Sequence, residues 1–252
     1  MPRLIGAPAA LVLLCLAATP MAQRRPLPEA GAFLSATREN LARANQVQHR
    51  YAYKERRTEL HTNPFGRLGT GEVRVYEVTP GPDRSVYFRR LLERDGAPVE
   101  DSEPERQERK MRSGRSPVDD VAAVLDYTLD RRESLNGRDA IVVRFMPKPD
   151  ADPETREGNM AKAFEGEIWV DEQAREVRRV EATAIDGISY GFGIIARLNK
   201  GATVTLVREP VDGDIWLPTS IEFTGDGRAL LFRKIDIDHR IEWFDYELMP
   251  SS

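Results

Sequence analysis

Hydrophobic and polar residues alternate along most of the chain, and an alternation with a period of two is typical of β-strands. Residues Phe164–Thr183 show it twice, first through Glu167–Val170 and then, after a charged turn at Asp171–Glu176, through Val177–Ala182. We therefore predict a β-hairpin here, with further strands of the same sheet before and after it.

A second hairpin is predicted around Asn136-Gly137, because both residues tolerate the positive φ angles of a type I′ turn. This dipeptide lies between two alternating stretches, Tyr127–Ser134 and Asp139–Phe145. Other turn signals separate more alternating stretches along the chain, namely Gly81-Pro82-Asp83, Asp212-Gly213-Asp214 and Gly225-Asp226-Gly227. Together they predict at least eight strands in an up-and-down order.

Helical periodicity is confined to two places. Apolar residues from Phe33 to Gln48 recur at the spacing of an amphipathic helix, which we expect to pack on the sheet. A shorter helix is predicted after Ser116, with this serine as its cap and Pro117 in its first turn.

These elements predict a mainly β (α+β) fold. A sheet of this length must curl or close, so we expect a strongly curved antiparallel sheet or an incomplete β-barrel, with helices covering its concave side. Two polar segments interrupt the pattern. Asp101–Arg115 is predicted to be an exposed helix or a flexible insert, and Pro147–Met160 a loop that covers or leaves the edge of the sheet.

The amino-terminal residues predict export from the cytoplasm. Met1–Ala22 has one positive charge, at Arg3, and a short apolar run that is typical of a signal peptide, with an uncleaved anchor as the alternative. We expect residues 23–32 to be a mobile leader and residues 33–252 to be a single domain. The only cysteine, Cys15, lies in the apolar run, so cleavage would leave no cysteine for a disulfide.

Charge excludes one class of partner. The formal net charge is -4, and loss of the segment that contains Arg3 changes it to -5, because this arginine is its only charged residue. Acidic and basic residues are intermixed, without the basic patch that nucleic-acid binding requires. We therefore expect a periplasmic or secreted protein with no nucleic-acid partner.

Catalytic motifs are not evident. The three histidines are far apart in the sequence, at His49, His61 and His239. Close to His239 lie Asp236 and Asp238, which could be ligands of a metal ion or simply form the solvated face of a strand. No serine lies in a G-x-S-x-G turn. A pair of carboxylates that catalyses glycoside hydrolysis remains an alternative, because the chain has 41 acidic residues. We predict a protein that is not an enzyme and that needs no metal or cofactor.

Two apolar strand faces are candidates for a ligand site. They carry Ile215, Leu217, Ile221 and Phe223 in one strand, opposite Trp216, and Ile235, Ile237 and Ile241 in the last strand. One interpretation is a filled core, and the other is that part of each face lines a cavity beneath the helix. The predicted ligand-lining residues are Ile215, Leu217, Ile221, Phe223, Ile235 and Ile237.

The order of these features resembles the periplasmic lipoprotein carrier superfamily (LolA/LolB/RseB-like), and within it secreted bacterial proteins described as outer-membrane lipoprotein-sorting-like. The features that carry the resemblance, besides the signal peptide, are the helix at Phe33–Gln48, Gly166–Asp171 with Val177–Val180, Asp212–Pro218 and the closing strand at Leu230–Trp243.

The resemblance implies an apolar concavity, plugged by helices, that can hold acyl chains, and it implies no catalytic residue. The expected function is therefore that of a monomeric carrier or chaperone for a lipid or a lipoprotein acyl chain. One alternative is an envelope sensor or interaction module that binds another envelope protein, with Asp101–Arg115 as the contact. The other alternative is a secreted hydrolase.

Overall fold

A computed structural model describes residues 25–62, 68–83, 85–108, 116–190, 196–229, 233–236 and 238–250. The predicted signal peptide and the carboxyl-terminal part of the charged insert (109–115) lie outside the described residues. No helix in the described ranges is both long and apolar enough to cross a membrane.

Three α-helices are described: α1 (Ala30–Val47), α2 (Pro117–Val124) and α3 (Arg156–Ala161), and a 3-10 turn at Gln48–Arg50 follows α1. The first begins three residues earlier than its apolar stripe predicts, because the Glu29 carboxylate accepts hydrogen bonds from the amides of Gly31 and Ala32. The second has the predicted cap, since the Ser116 hydroxyl accepts from the Asp119 amide at 3.1 Å.

Sixteen strands account for most of the remaining described residues. They are β1 (Tyr51–Thr62), β2 (Leu68–Pro80), β3 (Val86–Arg94), β4 (Ala97–Pro98), β5 (Glu105–Glu108), β6 (Leu125–Leu135), β7 (Arg138–Pro147), β8 (Phe164–Asp171), β9 (Val177–Ala184), β10 (Ile188–Tyr190), β11 (Ala196–Leu198), β12 (Thr203–Asp212), β13 (Ile215–Thr224), β14 (Asp226–Ala229), β15 (Arg233–Asp236) and β16 (Asp238–Leu248).

Twelve of these strands form one antiparallel sheet, in the order β4-β3-β2-β1-β16-β13-β12-β9-β8-β7-β6, with β5 also paired to β3. The two end strands of this order do not pair with each other in the described residues, so the sheet stays open. Bulges interrupt several strand pairs and bend the strands. The prediction of a curved antiparallel sheet, or incomplete barrel, with helices on one face is confirmed. A second sheet has the order β10-β11-β14-β15.

Both predicted hairpins are present. Asn136 and Gly137 join β6 to β7 with φ angles of 50° and 76°. Strands β8 and β9 pair across the turn that follows Asp171, whose carboxylate accepts from the amides of Gln173 and Ala174. Local turn chemistry therefore sets the register of this half of the sheet.

The core lies between the helices and strands β7–β9. On α1, Phe33 packs among Ile141, Val143, Val170 and Val177. We call the side of the sheet that carries these residues the helix face, and the opposite side, which carries Val142 and Trp169, the outer face. A second group of buried residues lies under α2 and α3 and consists of Val124, Leu125, Phe145, Phe164, Ala184 and Ala202.

Two polar segments contain more structure than their sequence predicts. Helix α3 begins within the predicted loop Pro147–Met160 and ends one residue beyond it. Asp120 of α2 is fully buried and accepts from the amide and the hydroxyl of Thr155, the N-cap of α3, each at 2.7 Å. Strand β5 lies within Asp101–Arg115 and pairs with β3. Both elements are short, and contacts distant in sequence hold them in place.

Between Ile188 and Leu198 the structure describes only the two ends of the segment, as β10 and β11. The predicted last strand is divided into β15 and β16, which belong to different sheets. An alternating pattern does not reveal such a change of sheet, because both strands keep the same period of two.

Candidate ligand-binding face

One row of aligned residues crosses the helix face from β7 to β3. Strand register places the members of this row side by side, one on each strand. In order they are Val143, Ile168, Val180, Leu206, Ile221, Ile241, Arg57, Arg74 and Arg94. The row changes from aliphatic to cationic between β16 and β1, so the helix face has an apolar part and a charged part.

Burial decreases along the apolar part. Beneath α1, Ile141 and Val143 are fully buried. Further along, on β12, β13 and β16, the aligned residues Leu206, Ile221 and Ile241 are only half-buried. Their neighbours Val204 and Phe223, which pair with each other, are half-buried too. We call these five residues the apolar strip.

The charged part is built around Glu55 on β1. Its side chain is buried and accepts hydrogen bonds from Arg57 and Arg89, each at 2.7 Å, and from the indole N–H of Trp243 at 3.1 Å. The guanidinium of Arg89 also lies 3.5 Å from the ring centroid of Tyr76. These contacts fix the positions of two arginines beside the apolar strip.

A second carboxylate is shared in the same way. Glu72 on β2 forms an ion pair with Arg74 and lies 3.3 Å from Arg94, while Arg74 also lies 3.8 Å from Glu59. The hydrogen bond from Arg74 lowers the pKa of Glu72, and that carboxylate in turn raises the pKa of Arg74. We call Arg57, Arg74, Arg89 and Arg94 the arginine end of the helix face.

The predicted lining residues of β13 fall into two groups. Ile221 and Phe223 belong to the apolar strip, whereas Leu217 is fully buried and Ile215 is half-buried. The reason is a bulge, because consecutive residues of β12 pair with Ser220 and then with Pro218. It breaks the period of two that the sequence suggests for this strand, and the neighbours Trp216 and Leu217 are both buried.

The side chains of the last two predicted lining residues, Ile235 and Ile237, lie outside the described residues. Ile235 pairs with Gly227 in the second sheet. Their assignment to a ligand site stays a prediction.

The sequence did not single out the arginine end. Glu55 and Arg57 continue the alternation begun by Tyr51 and Tyr53, but nothing in that alternation relates them to Trp243, which is 188 residues from Glu55. Only the pairing of β1 with β16 brings the charged and apolar parts together.

Two cavities lie elsewhere on the described surface. One, of about 600 Å³, is polar and is lined by Arg25, Gly137, Arg138, Asp139, Asp171, Glu172, Gln173 and Arg175. The other, of about 460 Å³, is lined by Ala123, Val124, Lys148, Pro149, Asp150, Ala151 and Asp152. Neither contains a predicted lining residue.

The hairpin of β8 and β9 exposes a charged layer on the outer face. There Trp169 is buried and donates from its indole N–H to Glu133 at 2.7 Å, and Arg179 lies 5.8 Å from its ring. Hydrogen bonds from Trp169 and Arg131 lower the pKa of Glu133. These contacts stabilise the hairpin and occupy the indole N–H of Trp169.

A buried ion pair connects the sheet to α1. Arg208 on β12 donates to Glu176 at 3.3 Å and also to the carbonyls of Val177 and Trp216. The same carboxylate lies 3.9 Å from Arg43 on α1. Burial raises the pKa of Glu176 and lowers the pKa of Arg208.

Comparisons with known proteins find similarity to solved structures at low sequence identity. No family model matches the chain, and no curated protein matches it. Among solved structures, a LolA superfamily protein from Nitrosomonas europaea is similar at 13% identity, with 85% of this chain and 94% of that chain covered and a TM-score of 0.37.

Two further solved structures are similar. One is a domain from Vibrio parahaemolyticus that is described as an outer membrane lipoprotein-sorting protein domain. It has 10% identity, with 83% of this chain and 91% of that chain covered, and a TM-score of 0.39. A chain of the MucA/MucB complex of Pseudomonas aeruginosa has 10% identity, coverage of 82% and 92%, and a TM-score of 0.29.

Proposed function

We propose that this chain is a non-enzymatic binding protein of the bacterial cell envelope, which holds an acyl chain of a lipid or lipoprotein along the apolar strip. The observation that carries the proposal is the alignment of Leu206, Ile221 and Ile241 on three neighbouring strands, all half-buried on the face that the helices cover elsewhere. The predicted signal peptide supports a location in the cell envelope.

The dimensions of the apolar strip suit an extended hydrocarbon chain. Neighbouring strands lie about 4.8 Å apart, so three aligned residues provide an apolar contact about 10 Å long. Val204 and Phe223, one row away, widen it. Full burial of a leucine or isoleucine side chain is worth about 1.5–3 kcal/mol, and each half-buried residue of the apolar strip can contribute the part of this that its exposed surface represents.

Lipid extraction and native mass spectrometry of the protein purified from its own envelope test the proposal. We expect a mature form that carries acyl chains, or that takes them up from a single-chain phospholipid. A mature protein that does neither would contradict it.

A pair of variants locates the site. Leu206→Asn places an amide in the apolar strip, whereas Val207→Asn places the same group next to it on the outer face, aligned with Arg179. Both parent side chains are half-buried, which makes the two variants a matched pair. We expect the first to weaken acyl-chain binding roughly 10-fold or more, since 1.4 kcal/mol corresponds to a factor of ten, and the second to leave it unchanged.

A protein-binding module is the second candidate function, favoured by the position of β5. This strand comes from the charged insert at Asp101–Arg115 and pairs with β3 at the edge of the sheet. Edge strands offer backbone groups to a partner strand. Deletion of the insert should abolish a specific envelope partner while the circular dichroism spectrum is kept, and an unchanged set of partners would count against this candidate.

A further inference from the structure

The arginine end lies directly beside the apolar strip. Ile241 of the strip is aligned with Arg57 on the neighbouring strand, and Arg57 is aligned with Arg74. With strands about 4.8 Å apart, the first guanidinium group begins one strand beyond the last aliphatic side chain. A ligand that follows the row therefore meets hydrocarbon contacts first and cationic groups next.

The arginine end has a surplus of positive charge within the described residues. Its four guanidinium groups contact three carboxylates, those of Glu55, Glu59 and Glu72. Two of these carboxylates are shared between arginines. This local surplus occurs in a chain with a net charge of -4.

Hydrogen-bond donors are also in surplus at this end. Each guanidinium has five N–H donors, and they match the oxygens of a phosphate or a carboxylate in a planar, two-point contact. The side chains of Arg57 and Arg94 are 44% and 59% exposed, so a ligand can reach their N–H groups. Exposed cationic donors beside an apolar surface favour a ligand that carries both an anion and a hydrocarbon chain.

From this arrangement we propose that the bound molecule is an anionic amphiphile, with its acyl chain on the apolar strip and its negatively charged lipid headgroup on the arginine end. This inference rests on the proposed acyl-chain function and adds the chemical class of the headgroup. Arg57 and Arg74 hold the headgroup, and Glu55 and Glu72 position these two arginines.

The test compares two probes that share one acyl chain, lysophosphatidylglycerol, which is anionic, and lysophosphatidylcholine, which is zwitterionic. Isothermal titration calorimetry below the micellar concentration gives both dissociation constants. Both probes carry a phosphate, but the trimethylammonium group of lysophosphatidylcholine cancels its net charge and is repelled by the arginine end. We therefore expect about 10-fold tighter binding of the anionic probe. Added salt should weaken binding of the anionic probe more than binding of the zwitterionic probe.

Matched double variants assign the preference to the helix face. Arg57→Gln with Arg74→Gln removes two charges from the helix face, whereas Arg56→Gln with Arg90→Gln removes two from the outer face of β1 and β3, where these arginines contact Glu242 and Glu77. We expect the first pair to lower the affinity for the anionic probe about 10-fold and the affinity for the zwitterionic probe less, so that the preference for the anionic probe is lost. The second pair should keep the preference.

Folding of the first variant is expected, since Arg89 and Arg94 still neutralise the two shared carboxylates. If circular dichroism shows that this variant does not fold, the single variant Arg94→Gln replaces it in the test, because the Arg94 side chain is 59% exposed and its loss should not affect folding. This single variant should still reduce the preference for the anionic probe. Equal binding of both probes by the parent protein, or a preference that survives loss of the arginines, would overturn this inference and leave acyl-chain binding intact. Failure of both probes to bind would overturn the proposed function and this inference together.

Discussion

Replacing Arg208 by methionine probes the buried ion pair that joins the sheet to α1. The side chains of Arg208 and Glu176 are 4% and 3% exposed, so the substitution would leave a carboxylate in a nearly dry environment. It would also leave the carbonyls of Val177 and Trp216 without this donor. Breaking one side of a buried ion pair costs about 3–5 kcal/mol, and we expect a loss of this size in the free energy of unfolding.

The double variant Arg208→Met with Glu176→Gln separates the two contributions. Burial shifts the pKa of each group toward its neutral form, upward for Glu176 and downward for Arg208, which indicates that the loss of hydration outweighs their attraction. Replacing both charges should therefore recover most of the stability, to within about 1–2 kcal/mol of the parent protein. Arg43→Gln is the control, and its half-exposed ion pair is expected to contribute less than about 1 kcal/mol.

Urea denaturation followed by tryptophan fluorescence measures five proteins: the parent, the single variants Arg208→Met and Glu176→Gln, their double variant, and the control. The double-mutant cycle gives the coupling energy. A loss below about 1 kcal/mol for Arg208→Met, or additive single effects, would refute the reasoning. The pH dependence has a defined sign. Because the folded-state pKa of Glu176 is raised from 4.5, its contribution to stability is present below 4.5 and is lost as the pH rises through the folded value.

Three further predictions concern single residues of the core and the outer face. Gly166→Ala should lower the melting temperature, with a cost of about 2 kcal/mol or more, because a Cβ there would lie 1.9 Å from the carbonyl oxygen of Glu181; an unchanged melting temperature would contradict this. Phe33→Ala should cost about 3–5 kcal/mol in urea denaturation, since it removes the aromatic anchor of α1, and a loss under about 1 kcal/mol would count against that role. Trp169→Phe should raise the pKa of Glu133 toward 4.5, because the indole hydrogen bond is the largest cause that lowers it. The stability that this carboxylate contributes is present above pH 4.5 and is lost as the pH falls through the folded-state pKa. An NMR titration measures this pKa, and an unchanged value would contradict the assignment.

Local features of the fold were predictable from the sequence. The turn at Asn136-Gly137, the cap at Ser116 and the hairpin at Phe164–Thr183 each depend on residues close together in the chain. The start of α1 was missed by three residues, because its cap is a glutamate, Glu29, rather than one of the usual small polar residues. Helix α3 was missed because tertiary contacts hold a segment that lacks an apolar stripe.

The candidate site was only partly predictable. Ile221 and Phe223 were assigned to it from alternation alone, and the structure places both in the apolar strip. Leu217 shared their predicted face, yet the bulge in β13 interrupts the alternation and Leu217 is fully buried. A bulge depends on the pairing of two strands, and a pattern read along one strand does not contain it.

The sequence by itself determined most of the longer strands, the turns, the two longer helices, and the apolar and polar faces of strands that no bulge interrupts. These features follow from residues that are close together along the chain. Only the tertiary structure decided that β1 lies beside β16 and that six aliphatic residues and three arginines form one row. Strand neighbours far apart in sequence are selected by the packing of the whole sheet. The ligand proposed here depends on that selection, since Ile241 and Arg57 meet only through it.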